Sequence, residues 1–391
     1  MTMKISPVGG AAVGLLALLA VLPPASSAAA SAPAAAPATS VASTSTTAPT
    51  TPLALPRPSG AQPVGAVTFH LVDRSRPDPW VPAEKARQLM VSVWYPAKKG
   101  GGGRAAPYMT GPEAQAFLEG RKITDVPKEM LSEARTHAVA GARPAGRKGT
   151  LPLVVLSPGF TLSRASLTSL AEELSSHGYV VAGIDHVHES HGTSLPGGRL
   201  AGCVACVEQE ADIRKFGDKA VRGRQADVSF VLDRLLGRRP VWKGARLIDR
   251  SRIGMAGHSL GGAGASWTML RDKRVRAGIN MDGAFHVPVP EAGLKRPFML
   301  MGAGEVHEPG GRDTTWARDY ARMTGWKRWI TVEGGDHGSF TDYPLVTKGS
   351  PREVEITRAY VTAFMDRHLR GADRPVLDGP STTFPEVKFW K

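Results

Sequence analysis

Ser259 stands in Gly257-His258-Ser259-Leu260-Gly261, with a short apolar run before it (253–256) and a helix-forming stretch after it (263–270). A serine hydroxyl is a poor nucleophile near neutral pH. It needs a base within hydrogen-bond reach and a third group to hold that base in the right tautomer. Strand, Gly-x-Ser-x-Gly and helix in that order make a nucleophile elbow, a tight turn that lifts the hydroxyl above a sheet edge. Gly257 and Gly261 let strand and helix pass close by, and the first amides of the helix face whatever the serine attacks. In a chain with 44 glycines the pentapeptide alone is a weak signal, so its flanks and partners carry the argument.

The partners follow downstream. Asp282 ends a predicted strand (276–281), and His337 lies in Gly334-Gly335-Asp336-His337-Gly338 after another (329–332). Ser259, Asp282 and His337 thus each follow a strand, in the chain order Ser, Asp, His expected of this architecture. Glu305, after the strand predicted at 297–301, is the alternative acid; Asp336 is a poor orienter of the histidine next to it. Acyl chemistry also needs two N–H groups aimed at the developing oxyanion. Leu260, just after the serine, supplies one, and Phe160, after the apolar run 151–156, is the expected second.

The elements that must position these groups read as a doubly wound, mostly parallel sheet with helices on both faces. Residues 64–72 and 88–95 alternate as an antiparallel pair. Residues 151–156 and 179–184 are continuous apolar runs flanking a helix at 163–177, which implies a right-handed crossover. An irregular insertion covers 185–216, an amphipathic helix 220–236, further helices 316–323 and 352–369, and 329–332 is read as the last strand. Asp185-His186-Val187-His188-Glu189-Ser190-His191 offers metal-type donors at a strand end, but is read as the rim of the cleft, with no metal and no cofactor expected. Phe160, Trp267, Phe285 and Phe340 are candidate apolar walls.

Residues 1–28 have the lysine, apolar core and small-residue end of a secretory signal, and 29–60 is an Ala/Pro/Ser/Thr-rich tether expected to be disordered. The folded catalytic domain is then 61–391, secreted, with no membrane-spanning segment. Cys203 and Cys206, in a Cys-x-x-Cys of an exported chain, suggest a local disulfide. The formal charge of +14 is spread along the chain without aromatic interleaving or a known module, so no nucleic-acid partner is expected.

Val91-Ser92-Val93-Trp94-Tyr95-Pro96, Leu153-Val154-Val155-Leu156-Ser157-Pro158-Gly159, Gly257-His258-Ser259-Leu260-Gly261-Gly262, Gly278-Ile279-Asn280-Met281-Asp282 and His337-Gly338-Ser339-Phe340 resemble the plasma-type platelet-activating-factor acetylhydrolases and their bacterial secreted-lipase relatives, from about Val67 to His368. The resemblance implies an α/β-hydrolase fold with Ser259 as nucleophile, His337 as base, Asp282 as acid, Phe160 and Leu260 as oxyanion donors, and no metal. It implies hydrolysis of short-acyl (phospho)lipid esters, with transient contact at lipid interfaces. Pro158 departs from the His-Gly of the mammalian members, and Ser-Pro-Gly-Phe-Thr looks more like cutinase-like polyester hydrolases. A polyester hydrolase or an acyltransferase using the same site is therefore the alternative. A catalytically idle surface-binding protein is a third reading, which the filled triad positions do not favour.

Overall fold

The computed structural model describes residues 52–100, 102–347 and 349–391, so the expected signal segment and residues 29–51 of the tether lie outside the described residues. The strands are β1 (Val64–Asp73), β2 (Arg87–Pro96), β3 (Val139–Ala140), β4 (Leu151–Ser157), β5 (Val180–His186), β6 (Ile248–His258), β7 (Val275–Met281), β8 (Phe298–Ala303), β9 (Lys327–Val332) and β10 (Val387–Trp390). They form one sheet in the order β10-β9-β8-β7-β6-β4-β5-β2-β1-β3. The six central strands, β4 to β9, are mutually parallel, and β1, β2 and β10 join as antiparallel neighbours. This is the mostly parallel sheet that the residue pattern implied, arranged as in the α/β-hydrolase fold that the resemblance implied.

Continuous apolar runs make central strands because both faces must be buried. In β4, Val154 and Leu156 face one layer with Leu170, Leu174, Tyr360 and Phe364. Leu153 and Val155 face the other, with Val228, Val231, Leu232 and Met269. The first layer is built by α2 (Thr168–Ser176) and α7 (Pro351–Arg370), the second by α4 (Ile213–Leu236), α5 (Leu260–Arg271) and α6 (Thr315–Ala321). A smaller cluster forms around α1 (Gly111–Gly120), which Thr110 caps with a reciprocal Glu113 contact.

Three expectations about these elements change. The tether does not run loose to residue 60: Leu53 and Leu55 are buried, and Leu53 N–H donates to Met130 O while Leu55 N–H donates to Arg135 O. Further on, the Ser59 amide donates to Glu173 and the Gly60 amide to Ser176 Oγ. The helix expected from residue 220 begins at Ile213, because the Asp212 carboxylate caps it through the Arg214 and Lys215 amides. Residues 329–332 are not in the last strand, since β10 pairs antiparallel with β9 at the sheet edge.

Candidate active site

Ser259 sits between β6 and α5 with φ 53° and ψ −122°, a conformation that is strained for a residue with a side chain. The turn survives because nothing bulky flanks it. A Cβ on Gly257 would lie 2.2 Å from the Gly261 carbonyl, and one on Gly261 would lie 2.1 Å from Ser157 O. The Ser259 amide donates to Met281 O on β7, tying the elbow to the strand that delivers Asp282. Asp282 also has a left-handed backbone, φ 60°. The turn after it is held by Asn280, whose amide both donates to Gly283 O and accepts from Gly283 N.

These elements bring the three predicted side chains together. His337 Nε2 lies 2.9 Å from Ser259 Oγ, and His337 Nδ1 lies 2.5 Å from Asp282 Oδ2. Asp282 is buried whereas His337 is open to the cleft. Glu305, the alternative acid, is 92% exposed in its side chain and among the described residues pairs only with Arg312, at 3.9 Å. Asp336 turns its carboxylate to the Gly338 and Ser339 amides and so closes the loop that carries His337.

Both candidate oxyanion donors border the same space. Leu260 opens α5, so its N–H has no preceding turn to donate to. Thr161 N–H donates to Glu189 O and Leu162 N–H to Gly159 O, whereas Phe160 N–H between Gly159 and Thr161 has no acceptor among the described residues. The cleft in front of them has a volume of about 1080 Å³, and Phe160, Ile213 and Phe216 form its apolar side. Of the four candidate walls only Phe160 lines it. Phe285 and Phe340 are core residues, and Trp267 packs under the Arg222 and Arg271 guanidinium groups. Ile213 and Phe216, unremarkable in sequence, were brought to the mouth by the earlier start of α4.

The 185–191 cluster is not a rim. Asp185, His186, His188 and Glu189 are buried behind the oxyanion loop. His186 bridges Ser157 Oγ and Asp227, and Glu189 meets both Arg87 and Arg224. Two donor groups there have metal-like spacing, Asp78/Glu84/His188 and His186/Glu189/Asp227. Their carboxylates already face guanidinium groups: Arg87 for Asp78, Glu189 and Asp227, and Arg199 for Glu84. Cys203 and Cys206 form a disulfide at the start of α3 (Ala205–Ala211).

Two further histidines surround the triad. His258, inside the elbow, donates from Nε2 to the His337 carbonyl at 2.6 Å, and its ring lies 4.7 Å from that of His337. Burial, reinforced by the neighbouring His337, pushes its pKa down to about 3. The unfolded chain takes up this proton below the ordinary histidine value of about 6.5, whereas the folded protein does not until near pH 3. The corresponding stability is therefore complete above pH 6.5 and declines as the pH falls towards 3, by about 2 kcal/mol at pH 5. Urea unfolding at pH 8 and pH 5 should show this, and His258→Gln should flatten the dependence by about one proton.

His307 was not anticipated. Its Nδ1 lies 2.7 Å from Asp282 Oδ1 and its Nε2 3.0 Å from Asp313 Oδ2, while its ring stacks on Trp316 at 4.2 Å. Burial opposes its charge, but the two carboxylates outweigh it and raise its pKa to about 9. Burial would likewise raise Asp282, yet hydrogen bonds from His307 and His337 hold it well below the carboxylate range.

A serine on a strained turn over a parallel sheet, with histidine and aspartate delivered by later strands, is the arrangement of the α/β-hydrolase class. The family model described as platelet-activating factor acetylhydrolase, isoform II, matches residues 55–196 and 220–351, well over half of the chain, and the chain belongs to that family. A probable 1-alkyl-2-acetylglycerophosphocholine esterase of Arthroderma benhamiae is 28% identical over 375 residues, covering 86% of this chain and 93% of that one. Cutinase 2 of Thermobifida cellulosilytica is 27% identical over 205 residues, 51% of this chain and 66% of its own. A solved ferulic acid esterase from Streptomyces cinnamoneus superposes with a TM-score of 0.78 at 42% identity, covering 87% of this chain and all of that one. The chain is accordingly a carboxylic ester hydrolase. No helix among the described residues is long and apolar enough to cross a membrane.

Proposed function

We propose that the chain is an exported serine esterase in which Ser259, His337 and Asp282 act as a triad on short-acyl glycerolipid esters. Ser259 Oγ attacks the ester carbonyl as His337 Nε2 takes its proton, and the Leu260 and Phe160 amides receive the oxyanion. His337 then returns that proton to the leaving alcohol, and water, deprotonated by the same imidazole, releases the acid. The observation that carries this reading is the 2.9 Å contact of Nε2 with Oγ, made while Nδ1 is held by a buried carboxylate.

The short-acyl preference is supported by the acetyl ester named for the family and for the Arthroderma benhamiae relative, and a cleft of about 1080 Å³ leaves room for a large alcohol. The family model skips residues 197–219, the stretch holding the disulfide, α3, Ile213 and Phe216. The exposed apolar residues Leu200, Val204, Val207 and Ile213 lie in the same stretch, which supports transient contact with a lipid interface. The disulfide supports export. One observation favours a second reading. The rings of Phe160 and Phe216 meet edge-to-face at 4.6 Å beside the oxyanion position, a wall suited to a flat aromatic acyl group such as that named for the ferulic acid esterase neighbour.

The test compares an acetylated glycerophospholipid, methyl ferulate and p-nitrophenyl esters of increasing chain length. The first reading expects the acetylated phospholipid and acetyl or butyryl esters to lead. Methyl ferulate leading selects the aromatic reading, and a peak at long acyl chains overturns both.

A further inference from the structure

Asp282 is held from two sides. Its Oδ2 accepts from His337, while its Oδ1 accepts from the Ala303 amide at 2.7 Å and from His307 Nδ1 at the same distance. The far nitrogen of His307 meets a second carboxylate, Asp313, so both ring nitrogens face acceptors and both must carry protons to donate. The ring has little freedom to leave this position. It stacks on Trp316, whose Nε1 donates to Gly283 O, and its own carbonyl accepts from Trp329 Nε1.

We propose that His307 is a positioning residue for the triad, a buried imidazolium that fixes the Asp282 carboxylate towards His337 and offsets part of its charge. The inference rests on the triad reading above. The charged groups facing the ring among the described residues are Asp282 at the end of β7 and Asp313 ahead of α6, with His337 beyond Asp282. Arg312 and Glu305, on the same loop, are exposed and pair only loosely with each other.

Two consequences follow. Orientation comes first: with Ala303 N–H and His307 both on Oδ1, the carboxylate cannot rotate without breaking two hydrogen bonds, so Oδ2 stays aligned with His337 Nδ1. The second is electrostatic. A cation on the far side of Asp282 weakens the attraction of that carboxylate for a proton on His337. A ring that only filled space beside Trp316 would have the first effect at most and could not produce the second.

The experiment measures kcat/KM against pH, from 5 to 9, for the full chain with p-nitrophenyl acetate. His307→Gln keeps a donor for Asp282 but loses the charge. It is expected to lower kcat/KM by about tenfold to a hundredfold. Its acid limb is expected to move to higher pH by about 0.5–1 unit. Asp313→Asn leaves the ring, its stack and the Asp282 bond in place and weakens the hold on the second proton, so it should move the limb the same way by less. It also keeps the proposal testable if His307→Gln does not fold, as judged by circular dichroism. Loss of activity in both variants with unmoved acid limbs overturns the charge role, and unchanged activity and limbs overturn the whole proposal. Ser259→Ala is run alongside. If it keeps wild-type turnover and labelling by a fluorophosphonate probe, the triad reading itself has failed, an outcome distinct from either result at His307.

Discussion

Ser259→Ala is expected to cut kcat/KM by about 10⁴- to 10⁶-fold while leaving the fold intact. The substitution removes only Oγ. The elbow geometry depends on Gly257, Gly261 and the Ser259 amide bond to Met281 O, all of which remain. His337 stays fixed by Asp282, and the Phe160 and Leu260 amides stay in place, so a residue of rate acceleration over water should persist. Asp282→Asn should cost about 10⁴-fold for a different reason. Ala303 N–H and His307 both donate to Oδ1, so the amide oxygen of asparagine must occupy that position. Its NH₂ then faces His337 Nδ1 and forces the ring into the tautomer that places the proton on Nε2, where the base must be empty. The measurement is hydrolysis of p-nitrophenyl acetate by both variants, with circular dichroism to verify folding and fluorophosphonate labelling to count reactive serines. Activity within tenfold of wild type in either variant would remove that residue from the proposed mechanism.

What the sequence made legible was the part of the site fixed by local sterics and strand ends. Gly257 and Gly261 announce the elbow because no other residue tolerates those contacts. Asp282 outranked Glu305 because it closes a strand directly, and its neighbour Gly283 could not carry a Cβ within 2.0 Å of Ser259 O. The parallel pairing of β4 with β5 followed from their apolar runs and the helix between them. What stayed hidden depended on loops that meet only in three dimensions. His307 is one histidine in a glycine-rich turn, and its role exists only because β7 and β8 lie side by side and bring Asp282 against it. The charged cluster behind the oxyanion loop stayed hidden because charged side chains are buried only when partners from distant segments pair them. Its signal was present: Arg224 and Asp227 share the stripe of α4 with Ala220, Val228 and Val231, every one of them buried. β10, four residues at the end of the chain, has too short an alternation to stand out against a loop.

That cluster is where the largest loss of stability is expected. Arg87 on β2 is fully buried, and its Nη1 donates to Asp78 Oδ2 and to Val187 O, each at 2.7 Å. Its Nη2 meets Asp227 at 2.9 Å and Glu189 at 3.3 Å. Burial works against the charge, but the three carboxylates outweigh it and raise its pKa above the ordinary arginine value. Arg87→Met keeps much of the volume and leaves Asp78 without a guanidinium partner among the described residues, while Asp227 keeps Arg76 and Glu189 keeps Arg224. An uncompensated buried carboxylate is costly, and the expected destabilisation is about 3–5 kcal/mol. Arg87→Lys should recover little of it, since a single ammonium cannot reach three carboxylates in the planes a guanidinium spans. The effect should extend to catalysis, because Arg224 donates to Pro158 O, and Glu189 O accepts from the Thr161 amide, on either side of Phe160. Urea unfolding measures the first effect as a lower midpoint with unchanged slope. The control is Arg222→Met, which removes the half-exposed pair with Asp218 and should stay within about 0.5 kcal/mol of wild type. A loss below about 1 kcal/mol in Arg87→Met would mean that water or a rotated carboxylate replaces the guanidinium, and the cluster would then not be what fixes the oxyanion loop.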